Sequence, residues 1–150
     1  MRPQELEPDY EEVFTVANYY DGPRSGIANY NGAPHFYECI FDEQADDYTE
    51  LFQLTPIDSA TFHLAMEDWA IWRRWELAFH SGKADLSTHP CLPQDYKRHS
   101  EIKQILDTRL VTDSKIAITL TGKFEAIGRT DLPKGVLRPL QVKWNHRPDG

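Results

Sequence analysis

The run from Asp58 to Gly82, DSATFHLAMEDWAIWRRWELAFHSG, limits the folds open to this chain more than any other stretch. It carries three of the four tryptophans, Trp69, Trp72 and Trp75, at helical spacing. On a wheel of about 100° per residue, Ala65, Met66, Trp69, Trp72 and Phe79 join Phe62 in one broad sector. Leu64, Ile71, Trp75 and Ala78 form a second apolar patch nearly opposite, and only His63, Glu67, Ala70, Arg74 and Ser81 make a polar stripe. A helix apolar around most of its circumference has to be covered on several sides. Asp58 or Ser59 supplies an N-cap, and Gly82 a stop at its C-terminal end. The spacing therefore predicts a long tryptophan-rich helix that acts as the central post of the fold.

Glu76 falls between Trp69 and Trp72 on this wheel, with Arg73 at the edge of the same face and Asp68 near Trp72 and Trp75. A bare carboxylate on an apolar face costs several kcal/mol, so Glu76 has to be paired, hydrogen-bonded or neutralised. Two readings follow: an internal ion pair with Arg73 or an arginine of the sheet, or a tuned acid at the floor of a cleft.

Around this helix the pattern is β-like. Residues 12–20 are β-branched and aromatic and end in the turn-forming sequence Asp21-Gly-Pro-Arg-Ser-Gly26. Residues 27–30 and 33–41 flank Asn31-Gly32, the strongest short-range hairpin signal. An acidic loop is expected over 42–48 and a further strand over 49–55. Residues 114–121 read as a strand, Gly122 as a tight bend before 123–127, and 136–144 as the last strand. Pro34 and Pro139 suggest edges or bulges. Residues 94–110 read as a second, amphipathic helix on the surface. Strands in runs, with the helices between the runs, indicate an α+β class. The expected fold is a single-domain antiparallel curved sheet of about six strands, curling toward a half-barrel and wrapped around the tryptophan helix. Residues 1–11 are expected to be a flexible acidic lead-in, 12–145 the domain and 146–150 a tail.

The formal net charge of −8 disfavours nonspecific binding to a nucleic-acid backbone. No segment approaches the ~20 apolar residues of a membrane-spanning helix. Neither does the N-terminal sequence hold a signal-peptide-like apolar run, so a cytoplasmic location is expected. Cys39 and Cys91 are too few for a disulfide scaffold. His89-Pro90-Cys91, with His80 and His99 nearby, is the one ligand-rich cluster. It lacks the paired short spacings of zinc sites, so no metal and no cofactor are expected. Ser25 lacks the G-x-S-x-G context of a nucleophile elbow. His35 and Cys39 share a strand face but lie roughly 13 Å apart at strand rise.

What remains is a polar set on the first hairpin: Tyr20, Asp21, Arg24, Tyr30, His35 and Glu38. A small-molecule or catalytic site is expected, if anywhere, where this set meets Trp69, Trp72, Arg73 and Glu76. In that version His35 is the base, Glu38 or Glu76 the tuned carboxylate, and Arg24 or Arg73 the anion clamp, with Tyr20, Asp21, Tyr30, Trp69 and Trp72 completing a ligand pocket.

Two stretches, YDGPRSGIANYNGAPHFYE over 20–38 and EDWAIWRRWE over 67–76, together resemble small uncharacterised bacterial proteins. The resemblance implies a bacterial source and assigns neither an activity nor functional residues. The six residues Leu92-Pro-Gln-Asp-Tyr-Lys97 are similar to a helix start found in a superfamily of immunity proteins. The following run lacks that superfamily's aromatic-aliphatic pair and glycine-rich turn. The leading expectation is a non-enzymatic protein that binds another macromolecule, most simply a protein, with an inhibitor or immunity role as one version. A small-ligand protein or hydrolytic enzyme with a cleft between the hairpin and the helix is the alternative. A homo-oligomer joined through sheet edges is a third.

Overall fold

The computed structural model describes residues 6–17, 24–127 and 139–146. They form an α+β fold with six antiparallel strands and two α-helices. In chain order these are β1 (Glu11–Ala17), β2 (Ser25–Tyr30), β3 (Ala33–Asp42), β4 (Asp47–Pro56), α1 (Ser59–His80), α2 (Tyr96–Arg109), β5 (Ile118–Ala126) and β6 (Leu140–His146). The predicted strand residues 18–20 and 136–138 lie outside the described residues. The chain divides into two compact units. One holds the strands, and the other centres on Asp58–Leu110.

In the strand unit each strand pairs with the next, and β6 pairs back with β1 through Glu11–Val142 and Glu12–Gln141. The sheet is thus a closed barrel, where the sequence led us to expect an open curved sheet wrapped around the tryptophan helix. The interior is filled by the strands' own side chains: Ala28, Tyr37, Cys39, Phe52, Leu54, Leu120 and Val142 are buried there, with Phe124 and Trp144 packed against them. Two register shifts assist closure: one extra residue in β1 between Val13 and Thr15, and two in β4, where Thr49–Leu51 lie opposite Ile40 between the Cys39–Phe52 and Phe41–Tyr48 pairs. A bulge bends its strand and increases local twist. Neither has a local signature in the sequence.

Four rings fill the centre. Tyr37, Phe52, Phe124 and Trp144 make all six possible pairwise contacts, with ring centroids 5.3 to 6.0 Å apart in tilted or edge-on arrangements. Such geometries are favoured by the ring quadrupoles. Both polar handles are satisfied. The Tyr37 hydroxyl donates to the Thr15 carbonyl at 3.2 Å, and Trp144 Nε1 donates to the Asn29 carbonyl at 2.9 Å. Burial holds the Tyr37 phenol far above its ordinary pKa.

Gly122, expected at a bend, lies in the middle of β5 directly opposite Trp144. A Cβ at this position would sit 2.5 Å from an indole carbon. The glycine therefore clears space for the ring, and β5 runs through it unbroken. The strand begins later than expected, because Ser114–Ile116 forms a turn and Ile116 is exposed.

The Asn31-Gly32 hairpin forms as predicted, with φ of 53° and 77° at the two turn residues. Positive φ at both positions is what a two-residue turn matching strand twist requires. Glu11 of β1 ties this turn down, its carboxylate accepting from the Asn31 and Gly32 amides at 3.0 and 2.9 Å. The expected acidic loop over 42–48 narrows to a turn at 43–46, because β3 and β4 run on to an Asp42–Asp47 pair. Asp42 Oδ1 accepts from the Gln44 and Ala45 amides and so caps the turn. Pro34, expected at an edge or bulge, is the second residue of β3 and is paired with Asn29.

In the helical unit, Asp58 Oδ1 accepts from the Thr61 amide at 2.8 Å and caps α1. At the far end the Lys83 amide bonds the Ala78 carbonyl and the Gly82 amide bonds the Phe79 carbonyl, a Schellman termination. The buried residues of α1 are Thr61, Ala65, Ile71, Trp75 and Glu76. The better-covered side is therefore that of Ile71 and Trp75. Trp69, Trp72 and Phe79, expected to face the main core, are half-buried. α2 is amphipathic, with Ile102 and Leu106 buried. Side-chain pairs join the two helical stretches: Arg98 grips Glu67 at 2.5 and 2.7 Å, Arg74 grips Asp95 at 3.1 and 3.0 Å, and His99 meets Asp68 at 2.6 Å.

Replacing Gly122 by Ala should destabilise the barrel by about 2 kcal/mol, the usual scale for overpacking against a ring that has no room to move. Chemical denaturation followed by tryptophan fluorescence measures this. A loss below about 0.5 kcal/mol would mean that Trp144 is not seated over Gly122.

Candidate functional site

The predicted polar set divides between the two units. Tyr20 and Asp21 lie outside the described residues. Arg24, Tyr30, His35 and Glu38 belong to the barrel unit, and Trp69, Trp72, Arg73 and Glu76 to the helical unit.

In the barrel unit, Tyr30 and His35 meet across the Asn31-Gly32 turn, ring edge to ring face at 5.5 Å. His35 is buried, and its Nδ1 lies 2.8 Å from the Ala33 carbonyl. A carbonyl can only accept, so Nδ1 carries the proton. Glu38 is exposed and accepts from the Thr112 hydroxyl at 2.7 Å. Arg24 sits beside both Tyr48 and Cys39. Its guanidinium lies over the Tyr48 ring at 4.4 Å, and its carbonyl accepts from the Cys39 amide at 2.7 Å. Burial raises the Cys39 thiol pKa, an effect that Arg24 only partly offsets. The thiol itself donates to the Thr49 carbonyl at 3.1 Å. Such a thiol is kept protonated, the reverse of an activated nucleophile.

In the helical unit, Glu76 is 2% exposed and receives Arg73 at 2.6 Å, one turn away. This is the ion-pair reading of Glu76. Trp69 and Trp72 stack on each other at 5.0 Å. Trp75 belongs to a separate group, stacked on Phe79 at 5.1 Å, met edge-on by His89 at 4.6 Å, and donating from Nε1 to Thr88 at 2.9 Å. Cys91 is buried, and burial, helped by Asp95 and Asp68, raises its pKa. Among the described residues no three or more His, Cys, Asp or Glu side chains are grouped to hold a metal ion. No described helix is long and apolar enough to cross a membrane.

The feature that sequence reasoning passed over is the arm formed by β3 and β4 beyond the bulge at Cys39/Phe41. Phe41 there is 45% exposed and packs edge-on against Tyr48 at 5.2 Å. Asp42, Glu43, Asp46, Asp47 and Glu50 lie next to this pair in the sequence, all exposed. No lysine or arginine occurs anywhere in residues 25–72. That gap in the basic residues was visible in the sequence. The exposure of Phe41 was not, because by alternation Phe41 shares a face with the buried Tyr37 and Cys39. Chemically the arm offers an aromatic pair within a field of negative charge, which suits a cationic or amphipathic surface and holds no group poised for bond breaking.

No protein-family model matches the chain, nor does any curated protein or solved structure.

Removing the cation from the buried pair, as in Arg73→Met, should cost about 3 kcal/mol by taking one hydrogen-bonded partner from the buried Glu76 carboxylate. Glu76→Gln should cost less, and urea titration of the two variants checks the order. Equal stability of Arg73→Met and the parent would contradict the structural role. A second expectation concerns pH. Hydrogen bonds from Thr61 hold the Asp58 carboxyl below its ordinary range, and the Arg98 hydrogen bond does the same for Glu67. Folded values below the unfolded ones mean stability that is present at neutral pH and lost as pH falls through and below about 4. Helical circular dichroism should melt at lower temperature at about pH 3 than at about pH 6, and Glu67→Gln should reduce the difference. An unchanged difference would contradict the Glu67 contribution.

Proposed function

We propose that this chain is a cytoplasmic bacterial protein that works by binding another protein, with inhibition or immunity as its version of that role, and that the β3–β4 arm carries the contact. The supporting observation is exposed Phe41, packed on half-buried Tyr48, on an arm that carries five exposed carboxylates. Interface centres are enriched in aromatic residues, and their charged surroundings steer encounter and fix the choice of partner. The polar residues first considered for catalysis support this reading by their engagement: Glu76 with Arg73, His35 with the Ala33 carbonyl, Glu38 with Thr112, Arg24 with Tyr48.

Affinity capture with the parent chain and with Phe41→Ser, followed by size-exclusion chromatography of the eluted complex, tests the proposal. Phe41 is exposed, so the substitution should leave the melting temperature within a few degrees of the parent. The parent should retain a protein partner that the variant loses. Retention of the same partner by both, or of none by the parent, would contradict it.

A further inference from the structure

Resting on that reading, we infer that the partner presents an arginine-bearing basic segment, and that the outer surface of the arm receives its guanidinium against Phe41. Three observations point this way.

The first is the charge pattern. The segment from Ser25 to Ile57 holds six carboxylates, Glu38, Asp42, Glu43, Asp46, Asp47 and Glu50, and no lysine or arginine. Five of these acids lie on the arm or at its base and are exposed. Even with the Arg24 guanidinium beside Tyr48, this excess of acids attracts basic partners and repels acidic ones, nucleic acids included.

The second is the aromatic pair. Phe41 remains 45% exposed even with Tyr48 packed edge-on against it. A phenyl ring left open among carboxylates is costly for a cation to ignore, since the ring face and the acids attract it together.

The third observation is independent of the acids. The chain's own Arg24 already lies over the Tyr48 ring at 4.4 Å. The arm therefore already holds one guanidinium within the molecule on Tyr48, the ring packed against Phe41. Guanidinium suits the site better than ammonium, being planar, more weakly hydrated and able both to stack on an aromatic face and to bond a carboxylate in a fork.

Fluorescence anisotropy with labelled oligo-arginine and oligo-lysine peptides provides the test. Four proteins are compared: the parent, Phe41→Ser, an arm variant carrying Glu43→Gln, Asp46→Asn and Glu50→Gln, and a control carrying Glu12→Gln, Glu101→Gln and Asp107→Asn. The arm substitutions avoid Asp42 and Asp47, whose carboxylates bond turn amides. The control removes the same number of charges from exposed positions elsewhere. The parent should bind oligo-arginine more tightly than oligo-lysine. The arm variant should bind oligo-arginine about tenfold more weakly, with a shallower dependence on salt, and the control should stay within about twofold of the parent. Phe41→Ser should lose about fivefold with its salt dependence unchanged. Equal weakening in the arm and control variants would overturn the inference, as would an unaffected Phe41→Ser or equal binding of the two peptides. If Phe41→Ser loses the captured partner while neither peptide binds the parent, the basic chemistry is wrong and protein binding stands. If that variant keeps the partner, the binding reading itself fails.

Discussion

The packing of Tyr37, Phe52, Phe124 and Trp144 against one another is the constraint on which the strand unit depends. Four large rings occupy the interior of a barrel of only six strands, and each touches the other three. Everything near them makes room. Gly122 has no side chain because Trp144 lies where its Cβ would be. Thr15 and Asn29 turn carbonyls to the two polar ring atoms. A small barrel packed this way uses its interior as a core, in the manner of small barrels whose inward positions are filled by side chains.

With the interior committed to packing, recognition falls to surfaces that project from the barrel. The β3–β4 arm is such a surface. It lies beyond the register shift opposite Ile40, where the ladder continues to Asp42–Asp47 and Phe41 is exposed. Backbone geometry thus turns a core-forming strand into an exposed aromatic one within three residues. In the helical unit charge is spent inwardly. Glu67, Asp68 and Arg74 each meet a partner on or just before α2, and Glu76 meets Arg73, so these groups hold helices in place.

Much of the fold was legible in the sequence. The Asn31-Gly32 hairpin, the Asp58 cap, the Gly82 termination and the amphipathic α2 follow from local chemistry and period. What was not legible depends on contacts between distant residues. Closure rests on β1 meeting β6, some 130 positions apart. Gly122 reads as a bend until Trp144 is placed across from it. The turn at 43–46 follows from its acids, whereas the strand pairing of Asp42, Asp47 and Tyr48 depends on β3 and β4 continuing past a register shift. The candidate site shows the same division. The Tyr30–His35 and Arg73–Glu76 neighbours follow from hairpin and helix spacing, whereas the Arg24–Tyr48 contact joins residues 24 positions apart in the sequence and has no local signature.

The account stands or falls on a barrel that closes over its own side chains, and nuclear Overhauser spectroscopy of isotopically labelled protein tests it most directly. Cross-strand contacts should connect Glu11 with Val142 and Glu12 with Gln141, together with ring contacts from Trp144 to Tyr37, Phe52 and Phe124. Contacts along every hairpin from β1 to β6 with none between β1 and β6, and a Trp144 ring without aromatic neighbours, would mean an open sheet and would contradict it.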